Sequence, residues 1–245
     1  MKLYTALSYS VKSDLKHYGG SLEYFLSSYW AIISQKAGII AIQKRGQKFF
    51  LDSGAFSAFT KNITIPIDNY IDFINKNKNV LECYAGLDVI GNWKKTKYNC
   101  EYMEDKGLEP ISTFHYGSPY KELDRLCKKY DYIALGGLVL LALNRKKMAR
   151  HLDNCFAVIK KYWPKKIHGF GVNALWICRR YPFYSVDSTS ASEGSRRGTV
   201  SQRGKILDPK DNIIAFSMMD KNNILKYKDR VNFMIKDNIK NARNN

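Results

Sequence analysis

Phe50-Leu51-Asp52-Ser53-Gly54-Ala55-Phe56 and, far downstream, Tyr184-Ser185-Val186-Asp187-Ser188-Thr189 closed by Arg196-Arg197-Gly198 are the stretches on which the reading of this chain turns. In each, an apolar run with the character of a buried strand stops at an aspartate and then meets small or turn-forming residues, which sets the carboxylate at the carboxyl end of the strand. That end is where α/β barrels carry their chemistry. Two carboxylates delivered from distant strands suit a double displacement at a sugar carbon, one as nucleophile and the other as acid and base.

Working outward, short apolar runs alternate with longer amphipathic segments along the whole chain, the pattern of repeated β-α units around a parallel sheet. Strands are expected near 3–9, 47–52, 82–88, 110–114, 131–136, 167–171, 183–187 and 212–217. Eight strands in 245 residues predict an α/β fold of the (β/α)8 barrel type, a single domain over 1–245. Ile67, Tyr70, Ile71 and Ile74 fall at helical spacing, as do Phe156, Ile159 and Trp163, interrupted by Lys160. No linker or internal repeat divides the chain. The longest stretch with neither periodicity, 188–211, is rich in Ser, Gly and Arg and reads as a loop after a strand, where function concentrates.

The net charge of +18, from 40 Lys and Arg against 22 Asp and Glu, points to a polyanionic partner such as nucleic acid. Asn- and Lys-rich tracts such as 75–79 and 240–245 leave solubility as the alternative role for that charge. The five cysteines show no C-x-x-C spacing and are odd in number, which argues against a disulfide framework or a zinc knuckle. Met1–Ser10 has no apolar signal core, and the longest apolar run, Tyr132–Leu143, is too short to span a bilayer as a helix. A cytoplasmic protein with no membrane partner is expected.

Beyond the two opening stretches, further landmarks occur in order: Leu87-Asp88-Val89, Phe114-His115-Tyr116-Gly117, Leu135-Gly136-Gly137-Leu138 and Gly169-Phe170-Gly171. Together they resemble the tRNA-guanine transglycosylase superfamily from about Leu51 to Gly198, with "DSGAFSAF" and "HGFGV…YPFYSVDSTS" most similar to its compact phage-type branch that inserts 7-deazaguanine bases into DNA. The departures are specific. No C-x-C-x-x-C zinc motif follows Gly198, Glu193 stands where the family has arginine, and Ala55 stands where it prefers glycine.

The resemblance implies exchange of guanine in DNA for a 7-deazaguanine co-substrate such as preQ0, with tRNA as the alternative substrate. It makes Asp187 the nucleophile at C1′ and Asp52 the proton carrier for the departing and incoming bases. Asp88 would read guanine N1–H and its exocyclic amine. Ser53, Phe56, His115, Gly136, Gly137, Gly169 and Phe170 would complete the base pocket, glycines letting backbone N–H groups approach a purine closely and aromatic rings stacking on it. Arg196, Arg197, Arg203 and Lys205, on the loop after the nucleophile, would hold phosphates, with Lys94-Lys95-Lys97 and Arg145-Lys146-Lys147-Arg150 as further basic clusters. This chemistry calls for no metal and no cofactor.

Taken singly, each residue has a structural alternative. Asp52 and Asp187 can close Asx turns, Asp88 can cap a turn with Gly91-Asn92, and the aromatics can be core. Gly169-Phe170-Gly171-Val172-Asn173-Ala174 also fits G-x-G-x-x-A with Asp187 18 residues beyond Gly169, near dinucleotide-site spacing, but it comes late and explains none of the earlier aspartates. No P-loop pattern is present. A non-catalytic nucleic-acid-binding barrel is the alternative of another class, and the three strand-end aspartates argue against it because anions beside phosphate repel.

Overall fold

The computed structural model describes residues 1–7, 24–172 and 174–188. The expected strand at 212–217 and the basic residues Arg196, Arg197, Arg203 and Lys205 lie outside the described residues. From the N-terminus the elements are β1 (Lys2–Leu7), β2 (Phe25–Ser28), α1 (Tyr29–Ile32), α2 (Lys36–Lys44), β3 (Phe49–Asp52), α3 (Ala55–Thr60), α4 (Ile67–Asn77), β4 (Leu81–Tyr84), α5 (Trp93–Asp105) and β5 (Ser112–His115). They continue as α6 (Tyr120–Lys129), β6 (Tyr132–Gly136), α7 (Arg145–Ile159), β7 (Lys166–Gly169), α8 (Leu175–Arg180) and β8 (Ser185–Ser188).

By its contacts the chain forms two compact units, Leu7–Ser118 and a second built from Met1–Ala6 with Pro119–Asn245. In the Leu7–Ser118 unit β2, β3 and β4 pair in parallel, Leu26 with Phe50 and Leu51 with Tyr84. Ala85 then bridges Ile111 immediately before β5. Phe49, Phe50 and Leu51 are fully buried, the mark of a parallel strand covered on both faces. Phe25 stacks on Phe49 at 6.0 Å, and Tyr29 meets Tyr70 and Phe73 edge-on. On α4, Tyr70, Ile71 and Ile74 turn inward as their spacing predicts.

In the other unit the order is β1-β8-β7-β6, again parallel, with Tyr4 opposite Asp187 and His168 opposite Ser185. Leu123 and Leu126 of α6, Leu152, Cys155 and Ile159 of α7, and Ile133, Leu135, Ile167 and Val186 of the strands are almost wholly buried. Sequential strands lie side by side within each unit and β1 lies beside β8, the strand order of a (β/α)8 barrel.

Several expected boundaries move. The strand expected over 82–88 ends at Tyr84, so Asp88 stands in the loop beyond β4. The helix expected to run through Trp163 ends at Ile159, passing into a 3-10 turn over Lys160–Tyr162, and Trp163 is exposed. Strand β2 was not among the expected strands. Its four residues end in Ser27-Ser28 and run straight into the apolar Tyr29-Trp30-Ala31-Ile32, and only the Ser28 side chain, accepting from the Ala31 N–H at 3.2 Å, separates strand from helix.

The exit of β7 is packed against its neighbours. A Cβ on Gly169 would lie 2.8 Å from Val172 Cγ2 and 2.9 Å from Phe183 Cε1, both in almost wholly buried side chains. Overpacking of this kind costs about 1–3 kcal/mol. Gly169→Ala is therefore expected to lower stability in urea unfolding by that amount. The loss should be smaller in a Phe183→Leu background, the non-additivity being the sign of direct contact.

Candidate active site

Each unit carries a carboxylate and a histidine at the carboxyl ends of its strands. In the Leu7–Ser118 unit, Asp52 is the last residue of β3 and is half-buried. Its Oδ2 accepts the Gly54 N–H at 3.1 Å, an Asx turn that leads into α3. Gly54 has φ +76°, and a Cβ there would sit 3.1 Å from the backbone N and Cβ of Trp30, so only glycine serves this turn comfortably. Ser53 is fully buried, and its Oγ has no hydrogen-bond partner among the described residues. Phe56, one residue into α3, is exposed.

Asp88 does not cap its own loop. The flanking backbone is held from α5 instead: Asn99 Nδ2 donates to the Leu87 carbonyl and the Val89 N–H donates to Thr96 Oγ1, each at 2.8 Å. Helix α5 is capped by Asn92, whose Oδ1 accepts the Lys95 N–H. The Asp88 carboxylate, buried, is left to face His115 at the end of β5, with Nε2 3.2 Å from Oδ2. The two groups are in ion-pair contact. Burial disfavours the imidazolium, but the charge and proximity of Asp88, with a smaller contribution from Asp52, outweigh it and raise the His115 pKa above its ordinary value. From α4, Tyr70 donates to the Ala85 carbonyl at 2.8 Å; burial first, then the charges of Asp52 and Asp88, hold its phenol neutral.

In the other unit Asp187, on β8, is buried. Its Oδ1 accepts the Gly171 N–H at 2.9 Å and lies 3.2 Å from His168 Nε2. Gly171 has φ +68°, the left-handed backbone that turns this N–H toward the carboxylate. The segment Gly169-Phe170-Gly171 thus serves Asp187 directly. Behind it, His168 Nδ1 is 2.7 Å from Ser185 Oγ, which is 2.7 Å from Tyr132 Oη. Phe170 packs edge-on against the His168 ring at 4.5 Å, and Tyr4 does so at 6.0 Å. Gly136 closes β6 in a buried position, and Gly137, at φ +73°, opens the 3-10 turn Leu138–Leu141.

The structure therefore gathers Asp52, Asp88 and His115 in one unit, and Gly169, Phe170 and Asp187 in the other. His168, Ser185 and Tyr132 are functional candidates that the sequence reading did not single out. A signal for Ser185 existed, since residues two apart on a strand share a face and Ser185 precedes Asp187 by two. Among the described residues no group of His, Cys, Asp and Glu could hold a metal ion, and no helix is long and apolar enough to cross a membrane. Burial pushes the Cys127 and Cys178 thiols up to about 11 and about 12, away from nucleophilic use.

No protein-family model and no curated protein matches this chain. Among solved structures it is similar to a tryptophan synthase complex chain from Pyrococcus furiosus, with TM-score 0.56 and 11% identity over 93% of this chain and 98% of that one. It is also similar to the carboxyl transferase domain of Rhizobium etli pyruvate carboxylase, with TM-score 0.54 and 11% identity over 98% of this chain and 47% of that one. These likenesses establish the (β/α)8 barrel fold. This chain spans about half the length of the carboxyl transferase chain it matches.

The Asp88–His115 contact has a definite pH signature. Because the folded-state pKa of His115 is raised, its stabilising contribution is complete below the ordinary histidine value and is lost as pH rises through the raised one. An NMR titration should find the His115 imidazole titrating above its ordinary value. Asp88→Asn should lower that pKa, because burial then acts with the carboxylate's attraction removed, and should flatten the accompanying loss of stability with pH.

Proposed function

We propose that this chain is a base-exchange transglycosylase that replaces guanine in DNA with a 7-deazaguanine base through a covalent aspartyl-sugar intermediate. The observation that carries the reading is Asp187: a buried carboxylate on β8 whose Oδ1 accepts the Gly171 N–H and faces His168, while neither contact engages Oδ2. The ordered resemblance from Leu51 to Gly198 and the net charge of +18 support it from the sequence side.

In this reading Asp187 Oδ2 attacks C1′ as the C1′–N9 bond breaks. Guanine departs with the electron pair, and its developing negative charge is met by a proton from Asp52. The incoming base gives a proton back to Asp52 and attacks C1′, and the ester bond breaks to return the Asp187 carboxylate. Splitting one displacement into two lowers the barrier of each and preserves the configuration of the sugar. Asp88 accepts from the Watson–Crick edge of guanine, a pattern of donors adenine does not present, and His115 faces that carboxylate from the end of β5. Duplex DNA would have to deliver the nucleotide out of its stack, since C1′ and the base are otherwise enclosed.

The test is exchange of labelled guanine, and separately of labelled preQ0, into duplex DNA, single-stranded DNA and tRNA. Label is expected in DNA with the wild-type protein, and Asp187→Ala should fall below about one thousandth of that rate. Label in tRNA alone would move the substrate to tRNA. No label in any nucleic acid would sink the enzymatic reading in favour of a binding barrel.

A further inference from the structure

The hydrogen-bonded line behind Asp187 has a direction. Asp187, when ionised, can only accept at Oδ1, so the neighbouring His168 Nε2 at 3.2 Å must carry a proton; two lone pairs at that distance inside a buried site would repel. In a neutral ring, Nδ1 then accepts from the Ser185 hydroxyl, and Ser185 Oγ in turn accepts from Tyr132, at 2.7 Å each. In an imidazolium both ring nitrogens donate. Either state presents Nε2–H to Asp187. His168 and Ser185 are fully buried, and Phe170 and Tyr4 pack edge-on against the ring, so the imidazole cannot turn away without disrupting the core.

We infer that His168 is the positioning residue of Asp187: it selects Oδ2 as the attacking atom and meets the charge that returns to the carboxylate when the ester breaks. This rests on the transglycosylase reading. With Oδ1 held by His168 and Gly171, the oxygen that forms the bond to C1′ is Oδ2. The donors act unequally on the two half-reactions. In the first, negative charge leaves the carboxylate as the ester forms, so Nε2–H helps by orientation while restraining nucleophilicity, and the two effects oppose. In the second, the C1′–Oδ2 bond breaks and its electron pair returns to Asp187, so the donors on Oδ1 stabilise charge as it develops, the situation in which a fixed N–H is most effective.

The inference predicts a kinetic split. In single-turnover experiments with DNA, acid-trapped protein–DNA ester should form in His168→Ala at close to the wild-type rate. It should decay on the order of 10²-fold more slowly when excess base is added, so that ester accumulates at steady state. His168→Gln, which can place an amide N–H near Nε2, should restore most of the decay rate. In wild-type protein, long-range 1H–15N correlation should show His168 protonated at Nε2.

Equal slowing of both half-reactions in His168→Ala, no slowing of decay, or no recovery in His168→Gln would overturn the assignment. So would a ring protonated at Nδ1 alone, a readout independent of any loss of folding in the alanine variant. If wild-type protein forms no ester with any nucleic acid, the transglycosylase reading fails and takes the inference with it. If wild-type ester forms and the variants show no split, only the role of His168 fails.

Discussion

The buried Asp187 carboxylate is the constraint around which its unit is arranged. An anion taken out of water is tolerated only where donors replace the lost hydration. Here they come from two places, a backbone N–H at Gly171 and a ring N–H at His168. The first requires a left-handed residue, which glycine supplies without steric cost, and the second requires a ring held from behind by Ser185. Gly169 is bare for a related reason: the chain leaving β7 must pass close under Phe183 and Val172 to bring Gly171 to the carboxylate. A run that looks like a nucleotide-binding glycine motif is in this structure the mounting of a side chain on the next strand.

The Leu7–Ser118 unit handles its carboxylates differently. Asp52 is tied locally by its own Asx turn, and Asp88 is presented by a loop whose backbone is pinned from α5, which leaves the carboxylate free of structural duty. The partner it meets, His115, is a titratable cation rather than a fixed dipole. The two histidine–aspartate pairs are therefore not equivalent. His168 is locked in a hydrogen-bonded line and wholly buried, whereas His115 is slightly exposed and its charge follows pH.

Much of this was legible in the sequence because it is written in runs and spacing. The buried triplet Phe49-Phe50-Leu51 ending in Asp52, and Val186-Asp187 after Tyr184-Ser185, announce parallel strands with acids at their exits, and Tyr70, Ile71 and Ile74 announce the inner face of α4. Strand β2 was hidden because four residues, two of them serine, carry too little periodicity to stand out from the apolar helix that follows. Asp88 was read as a strand residue because Ala85-Gly86-Leu87 continues the apolar run, while the chain in fact leaves the strand at Tyr84 with Gly86 packed against Cys100. His168 was missed for a different reason. Within a strand one buried histidine resembles any core residue, and its meaning depends on Ser185 and Asp187, which lie 17 and 19 residues away and become neighbours only through the β7–β8 register.

That register also fixes which face of β8 Asp187 occupies. His168 sits opposite Ser185, and Gly169 opposite Val186, so a one-residue slip of β8 would turn Ser185 and Asp187 to the other face and bring Val186 to the ring. Val186 is fully buried, so the slip would also place an acid where a branched aliphatic now packs. The packing that holds the strand and the hydrogen bonds made to its aspartate thus favour the same register. Strand packing thus sets where the Asp187 carboxylate lies, and the Gly171 N–H and His168 hold its Oδ1 there.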